Sequence, residues 1–225
     1  STGITITEPS EITLTASVTS DYNGAQISCN GASDGIATAV GNGGTGTISY
    51  VWNTIPAQNS ATATGLSRSM YTVTATDLNG CTATAGVTLV DPSMVTVSAS
   101  IDTFGSGTQI SCYGSADAEA TATANGGTGI YTYVWSTIPA QNSANATGLA
   151  AGTYTVTASD ANGCMATAGI TVTQPDPLSL EIDADTLSSG TQISCNGMMD
   201  GSATVFVTGG TGQISYMWSN GQNTA

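Results

Sequence analysis

Histidine and lysine are missing from this 225-residue chain, and Arg68 is its only basic side chain. Without histidine the commonest general base is gone, and neither a Ser-His-Asp nor a Cys-His set can be assembled. Without histidine or a Cys-x-x-Cys pair, a tetrahedral zinc site has too few ligands. Without lysine, Lys–Asn isopeptide cross-links cannot brace the fold. Fifteen acids against one base leave a net charge of −14. No basic patch exists to displace counterions from nucleic-acid phosphates or to dock on an anionic lipid surface. Charge of either sign is scarce as well, at 7% of residues, so this is no polyelectrolyte tail. No apolar run has the length of a membrane span or the shape of a signal peptide. No window carries helical periodicity with caps.

What the chain does have is repetition. The motif Cys-x-Gly-x-x-Asp begins at Cys29, Cys112 and Cys195, a step of 83 residues each time. Trp52, Trp135 and Trp218 keep that step, as do Pro9, Pro92 and Pro175 and the Gly-Gly-Thr-Gly runs at Gly43, Gly126 and Gly209. A fixed period of this length suits a small domain repeated in tandem, since solenoid units are shorter. The phase divides the chain at its prolines. Residues 1–9 read as the last strand of a preceding repeat, 10–91 as repeat 1, 92–174 as repeat 2 and 175–225 as an incomplete repeat 3.

Within a repeat the pattern is that of strands. Ile12, Leu14, Ala16 and Val18 alternate with Thr and Ser, and so do Tyr71, Val73 and Ala75. Period-two alternation turns one face to a core and a Thr/Ser face to solvent. Asn-Gly, Asp-Gly and Gly-Gly pairs punctuate the runs as turns. Seven strands are expected in repeat 1, near 11–19, 24–29, 35–41, 46–53, 61–66, 69–77 and 81–90. The fold class is therefore all-β, with immunoglobulin-like β-sandwich domains in tandem. Tyr71 and Tyr154 open a strand after a turn, as the corner tyrosine of such sandwiches does.

Candidate sites follow the same phase. Cys29 and Cys81, and Cys112 and Cys164, stand 52 residues apart within their repeats. One disulfide per repeat fits an oxidising compartment; buried free thiols are the alternative reading. On the first reading Cys195 pairs outside this sequence. Trp52, Trp135 and Trp218 read as core anchors, the alternative being an exposed aromatic platform for sugar rings. Asp34, Asp117 and Asp200, with Asp77, Asn79, Asp160 and Asn162, recur as an oxygen-rich set. Calcium is the one ligand they would suit, although Asp-x-Asn-Gly is also an ordinary turn. Gly-Gly-Thr-Gly has no following lysine or helix and reads as a turn. No cofactor is expected otherwise, and no catalytic constellation is visible.

Together, Cys29–Val40, Gly43–Trp52, Gly152–Cys164 and Thr171–Pro175 resemble the SprB-type repeat of giant surface adhesins in Bacteroidota. Tyr113 and Ala118 depart from the pattern where the other repeats have Asn and Gly. The resemblance implies export to the cell surface by the type IX system. It also implies a role as a structural stalk or fibre in attachment or gliding; with no histidine and no catalytic set among its residues, no enzymatic activity is expected. Expected partners are neighbouring repeats or copies of the same chain in a fibre, with surface polysaccharide as the alternative for a glycan-binding array. Nucleic acid and direct membrane insertion are not expected.

Overall fold

The computed structural model describes residues 3–4, 6–104, 107–187 and 189–223, and among them there are fourteen strands and no helix. The chain divides into two compact units. The first is Ser1–Val97 with Ala124–Tyr133 and Thr157–Thr167; the second is Ser98–Thr123, Val134–Val156 and Ala168–Ala225.

In the first unit, β1 (Thr13–Val18), β2 (Gly35–Asn42) and β4 (Thr62–Leu66) form one antiparallel sheet in the order β1-β2-β4. The strands β3 (Ser49–Trp52), β5 (Ser69–Thr76) and β6 (Thr82–Leu89) form the other, in the order β3-β5-β6. This is the immunoglobulin arrangement, with the first, second and fourth strands facing the third, fifth and sixth, and one edge strand omitted. The core between the sheets is Ile27, Trp52, Leu66, Val73 and Leu89 with small alanines, all buried. Val73 and Ala75 are buried while Thr72, Thr74 and Thr76 are half-exposed, as alternation requires. Trp52 is wholly buried and donates its indole N–H to Ser60 O at 3.0 Å. Burying an aromatic of this size contributes about 4–6 kcal/mol of transfer free energy.

The expected strand at 24–29 does not form. Asn23 and Gly24 turn at positive φ, and only a Tyr22–Ala25 bridge follows. The backbone there bonds to side chains instead. Ser20 Oγ donates to Gln26 O at 2.6 Å, and Ser28 N donates to Asp34 Oδ1 at 3.1 Å. Ile27 plugs the core from this irregular segment. Of the expected strand at 1–9, residues 3–4 and 6–9 carry no strand, and Ser1, Thr2 and Thr5 lie outside the described residues.

Tyr71 Oη donates to Ser67 O, and Tyr154 Oη to Ala150 O, each at 3.1 Å and four residues back. These are corner tyrosines at the start of the sixth strand of the immunoglobulin plan. Tyr71→Phe is expected to lower the unfolding free energy by about 1 kcal/mol, the worth of one such bond. Urea denaturation followed by tryptophan fluorescence measures it; an unchanged midpoint removes the structural role.

The strands recur in step. The next six are β7 (Thr96–Ile101), β8 (Ala118–Asn125), β9 (Thr132–Trp135), β10 (Asn145–Leu149), β11 (Gly152–Ser159) and β12 (Met165–Val172). They keep the two sheet orders of the first six. Trp135 is buried like Trp52, and its N–H reaches Ser143 O at 3.0 Å. In the second unit β13 (Ser179–Ala184) and β14 (Ala203–Thr208) form a two-stranded ladder. Trp218, expected as a third core anchor, is only half-buried. Among the described residues no strand follows it to lay a second sheet on its face.

Candidate functional site

The first unit contains a joint between successive repeats. It is built from three pieces, the irregular segment 22–34, the loop 125–131 and the turn 160–164.

The segment 22–34 explains the Cys-x-Gly-x-x-Asp motif. The Asp34 carboxylate accepts the Ser28 N–H, and Tyr22 Oη donates to Asp34 O at 2.8 Å. Ala32 N donates to Cys29 O at 3.0 Å, with Gly31 at a φ of 80° that favours glycine. The motif is thus a six-residue loop closed by its own carboxylate, with the cysteine as its first residue. Asp117 does the same for Ser111 N at 3.1 Å, and Asp200 for Ser194 N at 3.2 Å. Bonds from the Ser194 hydroxyl and N–H hold the Asp200 carboxyl below its ordinary pKa.

The turn 160–164 is braced in the same way. Asp160 Oδ1 accepts from Asn162 N at 3.0 Å and Cys164 N at 2.8 Å. Its Oδ2 accepts from Thr128 N at 2.8 Å, which ties the turn to the Gly-Gly-Thr-Gly loop. Burial works against the charge of Asp160, but the N–H groups of Thr128, Cys164 and Asn162 outweigh it and hold its pKa below the ordinary value. Asp77 is placed identically, its pKa lowered first by Thr45 N–H and then, against desolvation, by Cys81 and Asn79 N–H. Gly127 makes the approach possible. It sits at a φ of 59°, and a Cβ there would meet Asp160 Oδ2 at 2.4 Å.

The oxygen-rich set is therefore engaged by N–H donors. Among the described residues no three His, Cys, Asp or Glu side chains converge on a point. Asn79 contributes its N–H to Asp77 at 2.9 Å. Asn162 does more, because its Nδ2 donates across the joint to Tyr22 O at 3.1 Å and Ser28 O at 3.0 Å.

Beside these bonds lies the covalent one. Cys29 is bonded to Cys164, with Cα atoms 5.7 Å apart. This corrects both expected pairings, Cys29 with Cys81 and Cys112 with Cys164. The reason is the length of the sandwich. Val90 N bonds Gln26 Oε1 where β6 ends, whereas Cys81 N bonds Asp77 where β6 begins. The eight residues of β6 separate the two cysteines of a repeat, roughly 25 Å at a strand's rise per residue. A disulfide needs Cα atoms within about 7 Å. Each cysteine therefore faces a neighbouring repeat instead of its own partner. The separation of 135 residues is one period plus the 52 within a repeat. Cys81, Cys112 and Cys195 are free and exposed, so the buried-thiol alternative is overturned too. The sequence did hold a signal, since a fixed phase permits pairing at 52 or at 135 residues, but phase alone could not choose.

The family model of the SprB repeat matches residues 105–140 and 187–223. Both stretches run past the in-phase cysteine and tryptophan. Among solved structures, a tetra-tandem repeat in the extending region of a large adhesion protein aligns at 17% identity. That alignment covers 93% of this chain and 71% of the other, with a TM-score of 0.26. Dpr2 Ig1-Ig2 in complex with DIP-Theta Ig1-Ig3 aligns at 10% identity over 74% of this chain and 69% of the other, with a TM-score of 0.29. No curated protein matches the chain.

Proposed function

We infer, from the premise that this chain is a SprB-type repeat protein, that it serves as a structural segment of a long extracellular adhesin or filament. Its repeats, at 10–91, 92–174 and 175–225, act as stalk for attachment or gliding of a Bacteroidota cell that exports them through the type IX system. Its partners on this reading are neighbouring repeats or copies of the same chain. The observation that carries it is the Cys29–Cys164 bond from one repeat to the next. A disulfide placed there does nothing for catalysis, and it changes how the chain bears load. Tension entering before Cys29 and leaving after Cys164 passes through the sulfur bond, so the sequence between them is shielded from extension. One basic residue in the whole chain leaves trypsin-like proteases one cleavage point, which suits an exposed surface protein.

The glycan-platform reading loses its support because Trp52 and Trp135 are buried and present no face to a sugar ring. Two measurements test the stalk. Pulled by its ends in a force instrument, the oxidised chain is expected to extend fully at a length that reduction increases by about 450–490 Å, the span of the 135 shielded residues. Equal lengths before and after reduction overturn the mechanical reading. Antibodies against the chain are expected to label intact cells that produce it. Label only after permeabilisation overturns the surface assignment.

A further inference from the structure

The disulfide of the joint encloses the one basic residue of this chain. Arg68 is its sole basic side chain, and it lies between Cys29 and Cys164. With Ser67 it forms the turn that leads from β4 to β5, and both Arg68 and Ser69 are exposed. Exposed turns are where proteolytic nicking concentrates. The in-phase turn of the next repeat, Ala150-Ala151-Gly152, has no basic residue.

This turn connects the two sheets of the sandwich. Its leading strand, β4, belongs to the β1-β2-β4 sheet, and β5 belongs to the β3-β5-β6 sheet. Before the Arg68–Ser69 bond, Leu66 is buried and stands opposite Gly35 of β2. After it, Val73 is buried and stands opposite Trp52 of β3 and Ala85 of β6. Both flanks of the bond are therefore anchored by other strands. One clasp holds the turn shut. Tyr71 Oη donates to Ser67 O at 3.1 Å, and the Ser67 and Tyr71 hydroxyls lie 3.3 Å apart. Cleavage proceeds from a locally opened chain, so the residues before Arg68 must leave this clasp before the bond is cut.

We propose that the Arg68–Ser69 bond is a processing site for an arginine-specific endopeptidase, gated by the Tyr71 clasp, and that the cut chain stays joined through Cys29–Cys164. Water adds across the scissile amide. Its oxygen goes to the Arg68 carbonyl carbon, the C–N bond breaks, and the released Ser69 amine takes up a proton. The products are an Arg68 carboxylate and a Ser69 ammonium, each held in its own sheet. Residues 1–68 carry Cys29 and residues 69–225 carry Cys164. The path of tension through the sulfur bond therefore never crosses the cut. This rests on the structural-array reading and deepens it, because a fibre exposed to arginine-specific proteases is nicked here without being severed.

The test treats the full chain with trypsin and separates the products in a denaturing gel. Without reductant, one species is expected, residues 1–68 linked to residues 69–225. With reductant, the two fragments separate. Arg68→Ala, which copies the in-phase Ala151, is expected to stay whole in both gels. Tyr71→Phe is expected to be cut about fivefold faster, the rise in opened population that loss of one such hydrogen bond gives. Tyr154→Phe, whose hydroxyl holds Ala150 instead, is expected to be cut at the parent rate. A folded chain left whole under conditions that cut the reduced, unfolded chain overturns the processing site. So does cutting that persists in Arg68→Ala, or equal rates for the two tyrosine variants. Each of these leaves the array reading standing. Fragments that separate without reductant overturn the sulfur link, and the array reading with it.

Discussion

Digested without reductant, this chain is expected to yield one sulfur-linked pair of peptides, containing Cys29 and Cys164, and three free thiols at Cys81, Cys112 and Cys195. Cys29→Ser is expected to lower the unfolding free energy by about 5 kcal/mol, the loop-closure value for a separation of 135 residues in the chain-entropy model. That exceeds what a bond across the 52 residues within a repeat could contribute, because the denatured chain loses more freedom when a longer loop is closed. Cys81→Ser is the control. If pairing ran within repeats, it would destabilise as much as Cys29→Ser. With the bond running between repeats, it leaves the melting midpoint unchanged. Thermal unfolding of the two variants side by side decides the matter, and equal losses overturn the geometry described above.

Asp160→Asn is expected to cost about 2–3 kcal/mol, because one amide cannot replace what the carboxylate does there. Oδ1 serves Asn162 N and Cys164 N while Oδ2 serves Thr128 N. An asparagine oxygen can take one side of this set, and its NH₂ then points a donor at the donors on the other. The loss is expected to unclamp the turn from the loop and slow reformation of the disulfide after reduction. The pH dependence follows from the direction of the shifts. Asp77 and Asp160 both titrate below their ordinary value in the folded chain. The unfolded chain therefore binds more protons as pH falls through the carboxylate range. The stability these groups contribute is fully present above the unfolded pKa of about 4, and is lost as pH drops from there through the folded value. Urea midpoints measured between about pH 6 and pH 2.5 should fall at the acid end, and fall less in Asp160→Asn. A parallel fall in both removes Asp160 from the account.

The period, the strand alternation and the position of the tryptophans were legible in the residues themselves. Alternation is a local property of a pleated strand with one buried face, so Leu14 to Val18 and Tyr71 to Ala75 announced it. The corner tyrosines were legible for the same reason, since their partners lie four residues away. The segment 24–29 was misread because its apolar residues look like a strand. Ile27 is indeed buried, but Asn23-Gly24 and the Asp34 carboxylate take its backbone out of any ladder. The aspartates read as a candidate calcium set because carboxylates gathered at turns have the same sequence signature whether they face an ion or N–H groups.

By itself the sequence determined that a small β unit recurs every 83 residues, that it carries two cysteines at a constant phase, and that no histidine or lysine chemistry is available to it. The tertiary structure alone decided where each sulfur goes. Phase is a relation along the chain, and it is blind to which end of a sandwich a residue occupies. Strand length settles that, because eight residues of extended backbone place Cys29 and Cys81 at opposite ends of one repeat, leaving each within reach only of a neighbour.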